Sequence, residues 1–182
     1  MIQETELIER AKTGDVEAFK DLIEAYQVKI YNFAYYLAKN EQDASDLSQE
    51  AWIKVFKQLP TFRLDSSFYT WCCKILKNLF IDIYTRRHSY RKELPLNDEL
   101  DTKAVAIDSL HILEKEQREN IVSNAVTSLP DEFRMTIILT DMQGLSYEEV
   151  SKITKVSINT VRSRVSRGRE RLRKIFTNVG TF

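Results

Sequence analysis

The sequence predicts an all-α protein made of two small helical domains joined by a flexible linker, the second domain built around a helix-turn-helix. Three observations lead there. Apolar residues recur at three- and four-residue spacing over most of the 182 residues. Breakers are scarce, with four glycines and three prolines in the whole chain. A stretch without periodicity after His88 separates two periodic regions.

In the first region, Phe19, Leu22, Ile23, Tyr26, Ile30, Phe33, Ala34 and Leu37 share one helical face. A break at Thr13–Asp15 precedes that face, with Asp15 placed to cap it. Ala44, Leu47, Ala51, Val55 and Phe56 form a second stripe, which Pro60 ends. "RLDSS" reads as a loop, and "FYTWCCKILKNLFIDIYTRRH" restarts a helix. The expected domains are residues 1–88 and 114–182, with 89–113 as the linker, since that segment has mixed charge and no sustained stripe. In the second domain the helical pattern is broken at Pro130 and Gly144.

Composition narrows the chemistry. Hydrophobic residues at 43% and charged residues at 30% describe an ordinary globular chain. Neither a G-x-x-x-x-G-K-[ST] loop nor a G-x-G-x-x-G turn passes through the four glycines, so nucleotide hydrolysis, dinucleotide redox chemistry and a cofactor are not expected. His88 and His111 stand alone and the only two cysteines are adjacent, so no metal centre is expected. Cys72 and Cys73 lie in a dense apolar run and read as small core-filling side chains. The start "MIQETELIERAK" is polar, and no apolar run approaches the roughly 20 residues of a spanning helix, so a cytoplasmic protein is expected.

The formal net charge of zero hides an asymmetry. Of 27 basic and 27 acidic residues, seven basic and one acidic fall within Ser157–Phe182, a net of +6. Residues 1–156 keep 20 basic and 26 acidic, a net of −6. A basic end on an acidic chain points to a polyanionic partner at that end.

The local pattern there is specific. Ser146 and Glu149 have capping-box spacing, and Val150 and Ile153 supply the buried face of the helix they open. Ser157 is placed to cap a second helix with Ile158, Val161, Val165, Leu172 and Ile175 on one side. Asn159, Ser163, Ser166 and Arg167 lie opposite, with Arg162 at the edge. Small polar and arginine side chains let a helix approach a major groove closely and reach base edges. Arg169, Arg171, Arg173 and Lys174, further along, suit backbone phosphates. Lys155 occupies the turn position where glycine is preferred, because a left-handed conformation costs an L-residue about 1–2 kcal/mol.

In the amino-terminal half, Asp46, Gln49 and Glu50 point away from the Leu47–Ala51–Val55 stripe and, with Trp52, make an acid-rimmed, partly apolar docking face. Next, Arg63, Lys74, Lys77, Arg86 and Arg87 are interleaved with Phe62, Phe68, Tyr69 and Trp71. Cations beside apolar platforms suit single-stranded DNA. Trp71 and Phe80 are expected mainly in the core.

These motifs resemble the bacterial RNA polymerase sigma factors, in particular the extracytoplasmic-function group. The D-x-x-D-L-x-Q-E-x-[FW] signature is matched by Asp43, Asp46, Leu47, Gln49, Glu50 and Trp52. Ser67, Phe68, Thr70, Trp71, Asn78 and Asp82 match "SF-x-T-W" and "N-x-x-x-D". "LP-x-x-F-R" and "GLSYEEVSKI…TVRSRVSRGRERLR" match in the second domain, so the resemblance covers nearly the whole chain.

The resemblance implies a non-enzymatic protein that directs core RNA polymerase to promoters and promotes melting. The Asp43–Trp52 signature residues would grip the polymerase. Arg63, Leu64, Asp65, Ser66, Ser67 and Phe68 would cradle a flipped base of the −10 element, while Lys74, Lys77 and Asn78 follow the single strand. Asn159, Thr160, Arg162, Ser163, Ser166, Arg167, Arg171 and Arg173 would read the duplex −35 element. Leu64 stands where the family commonly has glycine. Many relatives are held by an anti-sigma factor, often membrane-bound, which makes such a protein a further expected partner. The rival reading is a helix-turn-helix regulator that acts without binding polymerase.

Overall fold

The computed structural model describes the backbone of residues 2–92 and 114–178, with side chains over 4–83 and 120–177. Among these residues there are eight α-helices and no strand. The first domain holds α1 (Ile2–Lys12), α2 (Val16–Ala38), α3 (Glu41–Gln58) and α4 (Phe68–Lys92). The second holds α5 (Glu114–Ser128), α6 (Asp131–Ile137), α7 (Tyr147–Thr154) and α8 (Ile158–Asn178). The expected linker lies outside the described residues except for its first four, which prolong α4.

The boundaries have local causes. Asp15 caps α2, its Oδ1 accepting from the Ala18 amide at 3.1 Å. Lys39 ends α2 in a left-handed conformation at φ 68°, and Asn40 at once caps α3 through the Asp43 amide at 2.8 Å. Two helices therefore join over two residues and pack antiparallel. Pro60 sits in a single 3-10 turn, Leu59–Thr61, that closes α3. Ser67 opens α4 by accepting from the Thr70 amide at 3.1 Å.

The first core is built by Leu22, Ile30, Phe33 and Leu37 of α2 against Ala44, Leu47, Ala51 and Val55 of α3 and Leu76 and Leu79 of α4, all buried. Burying each large apolar side chain contributes about 1.5–3 kcal/mol relative to exposure. Phe56, expected in this stripe, is a rim residue: it is about half exposed and touches Phe19 at a ring-centroid distance of 5.0 Å. Cys72 and Cys73 are buried core residues, as their surroundings in the sequence suggested. Burial pushes the Cys73 thiol up to about 12 and Cys72 well above its usual value, so neither is a ready thiolate.

In the second domain, α6 runs on into a π-helical turn, Ile138–Met142, which Gly144 ends at φ 71°. The capping box is formed in full: Ser146 Oγ accepts from the Glu149 amide at 3.2 Å, and the Ser146 amide donates to Glu149 Oε2 at 2.9 Å. Lys155 takes the left-handed turn position at φ 59°. Ser157 then caps α8, accepting from the Thr160 amide at 3.1 Å.

The two domains also touch. Helix α7 lies across α4, while α5 and α6 meet α2. Tyr69 Oη donates to Gln143 Oε1 at 2.8 Å, and Thr70 Oγ1 donates to Glu149 Oε1 at 2.9 Å.

Candidate nucleic-acid and protein interfaces

On α3 the exposed face consists of Asp46, Gln49, Glu50 and Ile53, spaced at three and four residues. Trp52 is half buried at its flank, edge-on to Phe19 with centroids 6.3 Å apart. Ile53, 54% exposed, was missed in the sequence because it continues no apolar stripe; its signal was its position three residues beyond Glu50. Two expected members belong elsewhere. Leu47 is 4% exposed and packs inward, so it supports the face from behind. Asp43 sits in the first turn of α3, where its carboxylate accepts from Asn40 Nδ2 at 2.9 Å.

The loop between α3 and α4 presents Arg63, Leu64, Asp65 and Ser67 to solvent, with Ser66 half buried. Its two ends are anchored by Phe62 and Phe68, whose rings pack edge-on at 6.0 Å. Phe68 is 1% exposed, and Trp71 joins the pair 4.9 Å from Phe62, so Phe68 fixes the loop from the core and presents no platform. Leu64 has φ 58°, the conformation glycine adopts freely and leucine does not. Its side chain is nonetheless exposed at the loop tip.

Along α4, Lys74 is exposed and Asn78 half buried, but Lys77 is 8% exposed and donates to Asn78 Oδ1 at 3.3 Å. Burial lowers its pKa first, and the nearby charges of Lys155 and Lys74 lower it further, against a rise from Asp82. Tyr69, grouped in the sequence with the strand-binding aromatics, is buried: it stacks on Tyr26 with centroids 5.7 Å apart and an interplanar angle of 13°. Helical periodicity could not have separated Lys74 from Lys77, because what covers a side chain depends on how the helices assemble.

Helix α8 buries Val161 and Val165 and exposes Asn159, Arg162, Ser163, Ser166 and Arg167, with Thr160 half buried at the cap. Ser163 Oγ donates to the Thr160 carbonyl at 3.0 Å, which leaves its lone pairs outward. The basic residues divide. Arg164 pairs with Glu132 of α6 at 2.9 Å, and Arg169 makes two hydrogen bonds to Asp141. The guanidinium of Arg171 lies 4.9 Å from the centroid of Phe133, a cation–π contact. Lys174 pairs with Glu170 at 3.0 Å. Arg169, expected at phosphates, is thus held within its own domain. Arg162 and Arg167 form no ion pair among the described residues, and Arg173 is exposed.

Among the described residues no group of His, Cys, Asp and Glu could hold a metal ion, and no helix is long and apolar enough to cross a membrane.

Comparison with known proteins places the chain in a family. The family model for Sigma-70 region 2 matches residues 22–90, and that for Sigma-70 region 4 matches residues 119–172. The chain is similar to the ECF RNA polymerase sigma factor SigE of Mycolicibacterium smegmatis, 36% identical over 88% of this chain and 63% of that protein. It is 31% identical to the ECF RNA polymerase sigma factor SigW of Bacillus subtilis over 92% of this chain and 93% of the other. The crystallised sigma factor RpoE of Bartonella quintana, in complex with the anti-sigma factor NepR, is similar at a TM-score of 0.71 and 25% identity, covering 87% of this chain and 96% of that one. The chain belongs to the extracytoplasmic-function group of the sigma-70 family.

Proposed function

We propose that this sigma factor binds core RNA polymerase through α3, captures the −10 single strand with the loop after α3 and with α4, and reads the duplex −35 element with α8. The observation that carries the reading is the presence on one chain of two unlike exposed helix faces. One is acidic and apolar (Asp46, Gln49, Glu50, Ile53); the other is basic and small (Arg162, Ser163, Ser166, Arg167). The first suits a protein partner and the second a major groove. Residues 1–88 carry the polymerase and −10 roles, and 114–182 the −35 role. As a sigma factor the chain is an initiation factor and not an enzyme; polymerase performs the chemistry. Two modest DNA contacts gain from being mounted on one polymerase, since the second becomes intramolecular. The similar RpoE was crystallised with an anti-sigma factor, which supports a protein inhibitor as a further partner.

The test is copurification of the tagged chain with core polymerase, with Asp46→Lys/Glu50→Lys as the comparison. Wild type is expected to bring polymerase down and the variant to lose it with helicity unchanged, because exposed carboxylates contribute little to stability. Equal recovery by both would remove α3 from the interface. Failure of wild type to bind would favour a regulator that acts without polymerase.

A further inference from the structure

Glu4 of α1 and Tyr26 of α2 tie the amino-terminal helix to the foundations of the loop between α3 and α4. The Tyr26 hydroxyl donates to Glu4 Oε1 at 2.7 Å. Its ring lies against the first two residues of α4, with its centroid 5.7 Å from both Phe68 and Tyr69, tilted on the first and stacked on the second. Phe68 is one root of the loop, closed against Phe62 and Trp71. The other root is reached directly, since α1 also meets the Leu59–Thr61 turn. Ile8 and Ala11, on the same face of α1 as Glu4, are buried and hold the helix in place. Burial, followed by the hydrogen bond to Glu4, raises the Tyr26 pKa, so the hydroxyl keeps its proton and remains a donor.

The hydrogen bonds that fix the loop also lie at its ends. The Phe62 amide donates to the Leu59 carbonyl at 3.0 Å, and the Thr70 amide to Ser67 Oγ at 3.1 Å. Between them Leu64 is held left-handed at φ 58°, so the ends impose a shape that leucine does not choose. We infer that Tyr26 is a positioning residue for −10 recognition and that α1, through Glu4, is its brace. Together they set the arc of Arg63–Ser67, and hence the base it prefers, without touching DNA. The inference rests on the −10 role proposed above for that loop. A ring alone would slide between α2 and the start of α4; a bond from its hydroxyl to a third helix fixes its depth.

The experiment reads open-complex formation by holoenzyme carrying the full-length chain on a library of −10 variants, with helicity monitored. Base preference is a ratio within one preparation, so loss of folded protein lowers all promoters alike and leaves it unmoved. Tyr26→Phe keeps the ring and removes the bond, and Glu4→Ala removes the acceptor. Each should narrow the discrimination between best and worst base at one −10 position by about threefold to tenfold, the effect of one net hydrogen bond. The double substitution should be no worse than either, because both break the same bond. Glu4→Gln keeps an acceptor oxygen and should restore discrimination, while Tyr26→Leu removes the ring contacts and should narrow it further. A −10 preference that neither Tyr26 substitution moves overturns the inference. Additive losses in the double substitution also overturn it, since the two residues would then act apart. Arg63→Ala/Asp65→Ala in the same library separates the two levels. If it moves the preference and the Tyr26 variants do not, the loop keeps its role and the brace falls. If none of them moves it, the −10 role of the loop falls as well.

Discussion

Arg169 grips Asp141 with two parallel hydrogen bonds, Nε to Oδ2 at 2.9 Å and Nη2 to Oδ1 at 2.7 Å. The pair ties the middle of α8 to the π-helical turn after α6. The Arg169 hydrogen bonds hold the Asp141 carboxyl below its ordinary value of 3.8, against the opposing effect of burial. A depressed native pKa stabilises the fold above the unfolded value, and that stability is lost as pH falls through the native value. Asp141→Asn should therefore unfold the second domain more easily at neutral pH. The difference from wild type should shrink as pH drops below 3.8. Denaturant melts at several pH values check this; a pH-independent gap would mean that the substitution acts by shape alone.

Gly168 lies on the buried side of α8, where an added Cβ would stand 2.7 Å from Ile137 Cγ1 and 3.0 Å from its Cδ1. Alanine gains about 0.5–1 kcal/mol in helix propensity but must displace a buried branched side chain. Gly168→Ala is expected to destabilise the second domain by about 1–2 kcal/mol net. Thermal unfolding of the variant measures it, and a stabilised variant would show that α6 can move away freely.

Leu64 at φ 58° is a strained residue at the tip of an exposed loop. Leu64→Gly should raise the stability of the first domain by about 0.5–1 kcal/mol, because relief of left-handed strain exceeds the added freedom of the unfolded chain. The same substitution removes an apolar side chain from the loop assigned to the −10 base and should alter base preference there. Denaturant melts and a library of −10 variants read the two effects separately.

On α8 the arginines should fail in different ways. Arg162→Ala or Arg167→Ala should cost about 1–3 kcal/mol and relax preference at one −35 position, as expected for a lost base edge. Arg173→Ala should weaken all promoters alike and reduce the salt dependence by about one counterion. Arg171→Ala should in addition destabilise the domain, because its guanidinium covers Phe133. Holoenzymes measured on −35 variants at two salt concentrations separate these outcomes. Uniform loss for Arg162→Ala and Arg167→Ala would reduce α8 to a source of charge.

What was legible in the sequence is what depends on near neighbours along the chain. Asp15, Ser146 and Ser157 announce helix starts because each cap acts within three residues. The inner faces of α2, α3 and α8 follow from period alone, and the exposure of Asp46, Glu50, Arg162 and Arg167 follows as its complement. Even the strained turn at Lys155 could be located, because the helix-turn-helix demands a left-handed residue there.

Tertiary structure decided which polar residues remain available. Lys77 has the same local sequence signal as Lys74, and Arg169 the same as Arg167, yet Lys77 is covered and Arg169 is paired. Phe68 and Tyr69 looked like platforms for bases, but aromatic rings inside a helical repeat go wherever the other elements leave a cavity. Tyr26 and Gln143, the partners of Tyr69, and Asp141, the partner of Arg169, lie tens of residues away. Helical periodicity fixes the direction of a side chain about its own axis; what stands in that direction depends on how the helices assemble.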